Sequence, residues 1–375
     1  MSDQTGTMVH DATGVDPLPD ASRRGSRQMP LPQQRGPVSA LLCGLLAGTD
    51  PEASRQRLVE AASLAAAQTP DVLFDEDLQL ALFVCYELHY RGFDGVDDTW
   101  EWDPELLRAR AELERVFEDR LRTAIDPVDE TATTAQEVSD ALFALAEGGD
   151  GPSVADFVLR HATTDQVREV MAHKSVYQLK EADPHTWAIP RLEGRAKSAL
   201  VEIQMDEYGN GRPGRMHSEL FARTMAGLGL DHRFGAHIEH VPAISLASVN
   251  LMSLFGLHRR LRGAVLGHLA IYEMTSSLPS SQYSRGLRRL GFGDDVAGYF
   301  DEHVEADAVH EQIAGRDMAG GLIEADPATR GQVFFGAAAV CLVDGLLGAW
   351  QLGAWEQGRS SLRMPLEAEG TDHGV

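Results

Sequence analysis

Cysteine is scarce in this chain, positive charge is outnumbered, and runs of β-branched residues are rare. Cys43, Cys85 and Cys341 lie far apart and form no CxxC pair. That excludes a zinc knuckle and a disulfide framework and points to a reduced compartment. Lys and Arg number 33 against 57 Asp and Glu, a formal net charge of -24. Phosphate binding draws on a cationic surface, so nucleic acid and an anionic membrane are excluded as partners; a cationic substrate is compatible with the balance, and so is simple solubility. Long hydrophobic runs are also lacking. Residues 1–36, rich in Pro, Gln, Asp and Arg, contain no apolar run, which excludes a secretory signal and reads as a disordered tail. Residues 357–375 read as a flexible tail. The longest late apolar run, Ala337 to Trp350, is cut by Asp344 and is too short to span a bilayer. The expectation is a soluble cytoplasmic protein with no membrane partner.

What the chain does contain is Ala, Leu, Glu and Arg, with apolar residues recurring at three- and four-residue steps. The fold class expected is all-α. Helices are expected at 38–48, 51–67, 74–92 and 103–123, where Asp or Thr before Pro supplies caps. The polar stretch 126–134 and Gly148-Gly-Asp-Gly-Pro152 break the periodicity. They divide an N-terminal helical domain, 37–148, from a larger bundle, 149–356. Helices follow at 151–160, 163–182, 188–207, 214–228, 242–255, 257–276, 280–290, 294–315 and 328–352. The sharpest interruption is Gly209-Asn-Gly-Arg-Pro-Gly214.

One segment carries chemistry on its face. His303, Asp307 and His310 follow at steps of four and three, which stacks two imidazoles and a carboxylate on one side of a helix. That mixture of donors suits a redox or hydrolytic metal. The competing reading is a solvated acidic face, since Asp301, Glu302, Glu305 and Glu311 are adjacent. Three donors are too few for an oxygen-activating iron pair, so acids on apolar faces are the next candidates. Ala196, Leu200, Ile203 and Glu207 share a stripe; Glu202 and Asp206 fall off it and are expected to be solvated. Reversal through Gly209–Gly214 would return His217 to Glu207. Glu273 stands alone in a mostly apolar helix. For Glu207 and Glu273 the alternative is a helix-end carboxylate paired with Arg.

The stretches Asp206-Glu-Tyr-Gly-Asn-Gly-Arg-Pro-Gly-Arg-Met-His217, Asn250-Leu-Met-Ser-Leu-Phe-Gly-Leu-His258 and Asp301-Glu-His-Val-Glu-Ala-Asp-Ala-Val-His310 resemble the iron-containing redox enzymes of the haem-oxygenase-like diiron oxidase superfamily. The resemblance covers roughly 150–350. It implies a haem-oxygenase-like helical bundle after an N-terminal helical domain and two Fe ions, Fe(II) and O2-dependent. The ligand set it implies is Glu181, Glu207, His217, Glu273, His303, Asp307 and His310. Glu193 or Glu202 competes with Glu181, which precedes Ala-Asp-Pro at a helix end. Four carboxylates would bring about -4 against the +4 of two ferrous ions, so the pair can be buried.

The resemblance further implies a non-haem diiron oxygenase that uses O2 to oxidise a small amine or amino-acid-like molecule. N-oxygenation in specialised metabolism is favoured by the seven-ligand pattern. The alternatives are desaturation or C–C or C–N cleavage of a fatty or amino acid, and iron binding without turnover. No flavin fingerprint or ferredoxin cysteine set is present, so an external electron donor is expected. The N-terminal helices are expected to form a homodimer. Substrate candidates are Arg212, Arg215 and Asn250, for a carboxylate or polar group, and Tyr208 and Tyr272, beside proposed ligands. All five have a plain structural alternative, as neutralising cations or hydrogen-bond donors to ligands. His89, His258, His268 and the trio His232, His237 and His240 read as loop or satisfied core histidines. The clustered acids argue against haem.

Overall fold

Helix-period repeats of Ala, Leu and long charged residues favour local backbone pairing, and every regular element among the described residues is helical. The computed structural model describes residues 28–48, 51–126, 131–148 and 153–367, with the side chains of 51–54 and 305–309 outside the description. Four helices come first: α1 (Pro37–Leu46), α2 (Pro51–Gln68), α3 (Glu76–Glu87) and α4 (Pro104–Ala124). One expected cap starts a helix: Asp103 accepts from the amides of Glu105 and Leu106, with Pro104 in the first turn. The helix α3 starts instead at Asp75, which accepts from the amides of Asp77 and Leu78, and not at Thr69-Pro70. Next are α5 (Ala135–Glu147), α6 (Val154–Arg160), α7 (Thr164–Gln178), α8 (Asp183–Thr186), α9 (Gly194–Glu207) and α10 (His217–Gly227). The chain ends in α11 (Ala243–Leu257), α12 (Arg262–Thr275), α13 (Ser277–Arg289), α14 (Asp294–Gln312), α15 (Gly321–Ala325) and α16 (Arg330–Glu356). A π-helical stretch, Ile313–Gly320, joins α14 to α15.

The helices α12 and α16 pack backbone to backbone. A Cβ on Gly267 would lie 1.9 Å from the Val333 carbonyl oxygen, and one on Gly336 would lie 2.0 Å from that of Ala264. These two glycines let the backbones touch, which sets the depth at which α12 presents Glu273 to the interior.

Several expectations need correction. The helix α5 was not anticipated, because its polar approach hid a capping box formed by Thr134 and Glu137. The Ala135 amide donates to Glu324 at 2.7 Å, so α5 docks on the bundle rather than on the N-terminal helices. The boundary at 148 does not separate two cores: Leu82 and Phe83 of α3 share one buried cluster with Val249 and Leu251 of α11. Polar ties cross the same seam, including Lys180 to Glu87 at 2.8 Å. Neither tail begins where expected. Met29 is buried and Arg35 pairs with Glu76 at 2.6 Å, while Ser361 is buried against Glu169. Residues 1–27 and 368–375 lie outside the description. Asp344 cuts the apolar run but not the expected helix, and the run is not too short to span a bilayer: Pro327–Glu356 spans 30 residues at mean hydropathy 1.9, long and apolar enough to cross a membrane by length and composition, with half of its most apolar window buried in the fold.

Candidate metal centre

Each candidate donor has a local structural cause. Glu207 is the last residue of α9, and the chain then reverses through Gly209, whose φ of +68° only glycine adopts without strain. A Cβ there would lie 2.6 Å from the Met216 amide nitrogen, so the close return also requires glycine. That return sets His217, the first residue of α10, with Nδ1 2.9 Å from Glu207 Oε2. Glu181 sits in the turn after α7. Its neighbour Ala182 adopts φ +74°, a left-handed conformation costing a non-glycine residue about 1–2 kcal/mol. Glu273 lies in the last turn of α12, and α14 supplies His303 and His310. The π-helix directly after α14 adjusts the register beyond His310, as such insertions often do beside functional sites.

One donor atom from each of Glu181, Glu207, His217 and His303 lies within 4.8 Å of the others. The same holds for Glu207, Glu273 and His310, so Glu207 belongs to both sets. Asp307 falls within α14, and its side chain lies outside the described residues. Six of the seven expected donors are thus brought together, while Glu193 and Glu202, the competitors of Glu181, are exposed.

The hydrogen bonds orient the rings. Nδ1 of His303 faces the Tyr299 carbonyl at 2.8 Å and donates to it, which turns Nε2 toward Glu181 Oε1 at 3.6 Å. His310 gives Nε2 to Asp206 at 2.8 Å and turns Nδ1 toward Glu273 at 3.4 Å. The Tyr299 hydroxyl donates to both oxygens of Glu181, 2.9 Å each. The rings of His217 and His303 pack 4.4 Å apart.

Three features of the donor set suit a divalent cation. First, Glu207 Oε2, His217 Nδ1 and His310 Nδ1 are buried and make no hydrogen bond, although partners stand close. Lone pairs directed at a common point rather than at one another behave this way. Second, Glu207 and Glu273 lie at helix C-termini, and His217 at an N-terminus. Each placement is unfavourable for a charged side chain alone, yet the two C-terminal dipoles favour a cation between them. Third, the titration is perturbed. Burial works to raise Glu207, but the adjacent imidazoles, His217 foremost, outweigh it and lower the carboxyl. Burial likewise pulls His310 down, and Glu273 with Asp206 overcomes this and raises it to about 9. Hard oxygen and borderline nitrogen donors suit iron or manganese.

Glu181, Glu207, Glu273 and His303 line a cavity of about 220 Å³, together with Tyr177, His185, Tyr272 and Phe300. Among the substrate candidates only Tyr272 lines it. Arg212 is exposed beside the Gly-rich reversal, and Arg215 is exposed and pairs with Glu302 at 2.8 Å. Tyr208 donates to Asp183 at 2.9 Å, and Asn250 is buried on the other face of α11, donating to Gln79. Arg212, Arg215 and Asn250 were candidates for their polar groups and Tyr208 for its place beside Glu207, and none of the four lines the cavity. Asp206 remains partly exposed, as expected off the buried stripe, and also holds His310 at 2.8 Å, a role the stripe did not reveal. His89, His258, His237 and His240 are satisfied by Arg110 and Glu101, Glu114, the Asp231 carbonyl and the Met364 carbonyl respectively.

An all-helical bundle that gathers buried glutamates and histidines at the foot of a cavity has the make-up of a metalloenzyme. Residues 168–345, just under half of the chain, match the model of the family described as iron-containing redox enzyme, which supports an oxidoreductase with a haem-oxygenase-like, all-helical fold. Over 226 residues it is 28% identical to a nitrosourea synthase of Streptomyces achromogenes subsp. streptozoticus, an alignment covering 56% of this chain and 48% of that protein. The chain therefore spans about half the length of this curated relative.

Proposed function

We propose that the protein is a non-haem diiron oxygenase that oxidises a small amine at nitrogen. Glu181, His217 and His303 would hold one iron and Glu273 and His310 the other, with Glu207 shared by both donor sets. The observation that carries this reading is the membership of Glu207 in two overlapping donor sets. Two ferrous ions at such a site supply O2 activation.

The protein's own part is positional. Tyr299 and the Tyr299 carbonyl fix Glu181 and His303, and Asp206 fixes His310. Tyr177, Tyr272 and Phe300 wall the cavity and keep bulk water from the reacting atoms. The relative is named for making a nitrosourea, a product with oxygen bound to nitrogen, and this supports N-oxygenation over desaturation or cleavage. Electrons come from an external donor.

The test is anaerobic loading of the full chain with Fe(II), followed by O2 and a library of small amines. Two irons per chain, amine-dependent O2 uptake and products that keep every carbon and gain oxygen are expected. One iron or none, or products that lose carbon or hydrogen without gaining oxygen, would overturn the reading.

A further inference from the structure

The turn that carries Glu181 is gripped from the N-terminal helices. Glu87 is the last residue of α3, and Arg91 comes four residues later. Glu87 Oε2 lies 2.8 Å from the Lys180 ammonium, and both side chains are buried. Arg91 Nη2 lies 3.5 Å from Asp183 Oδ2 in a half-exposed pair. Lys180 and Asp183 flank Glu181 and Ala182, so the two contacts hold the turn at both ends. They are also joined to each other, because Glu87 Oε1 accepts from the Arg91 amide at 3.4 Å. The Lys180 ammonium stands 4.1 Å from the centre of the Tyr90 ring and 5.2 Å from that of Phe234. On the bundle side, Gln204 donates to the Ala182 carbonyl at 3.4 Å and Tyr208 to Asp183 at 2.9 Å.

Two physical costs make this arrangement informative. Ala182 holds φ +74°, a left-handed conformation that alanine keeps only where its surroundings fix it. Burying Lys180 with Glu87 strips two charges of water, and an apolar pair of similar size would pack the seam as well. What the ion pair adds is direction. Lys180 is drawn toward α3, and the next side chain, Glu181, then faces the Tyr299 hydroxyl. We infer that Glu87 and Arg91 are positioning residues for Glu181: they form a clasp that holds a strained turn so that its carboxylate joins His217 and His303. The inference rests on the proposed metal centre only for the consequence of misplacing Glu181; the clasp itself needs no metal.

The experiment compares the full wild-type chain with the double variant Glu87→Leu/Lys180→Met, which replaces the buried pair by apolar side chains, and with Glu87→Gln and Arg91→Ala. Crystal structures of the metal-free proteins are expected to show the fold retained and the Glu181 carboxylate moved off the Tyr299 hydroxyl in both Glu87 variants. Melting of the metal-free double variant is expected to stay close to wild type. Anaerobic Fe(II) titration is expected to find one of two irons weakened about 10–100-fold and the other unchanged, a selective loss that general loosening of the seam would not give. Arg91→Ala, at the half-exposed end, is expected to show the same selectivity with a smaller loss. Should the Glu87 variants not fold, Arg91→Ala carries the structural comparison. A Glu181 carboxylate that stays on Tyr299 when the clasp is cut overturns the inference, whatever the iron content. Displacement of Glu181 with both irons held at wild-type affinity leaves the clasp standing and removes Glu181 from the ligand set. A wild type that binds no iron would sink the oxygenase, and the metal-free structures still decide the clasp.

Discussion

Where α3 and α4 meet the corner between α11 and α12, glutamates and histidines are answered by arginine. Glu114 contacts Arg110 at 3.2 Å and His258 at 2.9 Å; Glu118 is bonded by Arg122 at 2.7 Å and by Arg260. His89 is held between Arg110 and Glu101. In the bundle, Glu181, Glu207 and Glu273 face imidazoles and a phenol instead, and three of the donor atoms there stay without a hydrogen bond. The residue types are nearly the same. What separates a structural network from a candidate metal centre is the counter-ion. Guanidinium groups complete the first within the chain, while the second has its charges directed inward at a common point.

The contrast breaks most sharply at Glu207. Glu207→Ala is expected to lose both irons and all turnover, whereas Glu273→Ala or His310→Ala loses one; two irons retained in Glu207→Ala would remove the shared role. In the arginine network the sign is reversed. Arg110→Ala leaves buried charge unpaired and is expected to cost about 3 kcal/mol in chemical denaturation, with iron per chain unchanged, and a fall in iron there would mean the two regions are not independent. Asp206→Asn keeps the shape but weakens the hold on His310, so iron affinity at that position should drop about 10–100-fold; an unaltered titration of the second iron would return Asp206 to the surface role first expected for it.

Acid offers a gentler probe of the rest of the core. Burial pushes both His173 and His185 down to about 4. Their folded values lie below the ordinary histidine range near 6.5, so between pH 6.5 and 4 the unfolded chain binds more protons and the metal-free protein loses stability as pH falls. Below about 4 this contribution levels off. Melting curves of metal-free wild type and His173→Gln should show a shallower slope for the variant across that window, and equal slopes would mean His173 is not a buried neutral group. The smallest effect belongs to Arg215→Ala, an exposed pair with Glu302, expected to change stability by less than about 1 kcal/mol and to leave iron content and amine oxidation alone. A marked loss of activity would restore Arg215 as a substrate contact.

The candidate site was legible to the extent that its chemistry is local. The steps from His303 to His310 are set by helix geometry, and the Gly209–Gly214 reversal marks where His217 returns. Glu181 was legible only through the family resemblance, because the turn that aims it depends on Ala182 and on packing that no periodicity records. Asp344 stands in the sequence as a lone acid in an apolar run, and nothing local shows that it lines a cavity. Similarly, α5 was missed because its capping box is short and lies in a polar stretch.

By itself the sequence determined the helical class, the helix start at Asp103-Pro104 and a ladder of donors on α14. These follow from interactions spanning no more than four residues, which the order of residues specifies directly. Only the tertiary structure decided which acids face inward, that Asp206 supports His310, that Arg212 and Arg215 face out, and that one core runs from α3 through α11. Those outcomes depend on the relative rotation of helices far apart in the chain, which is set by close packing such as that of Gly267 against Val333 and by burial of their combined apolar faces.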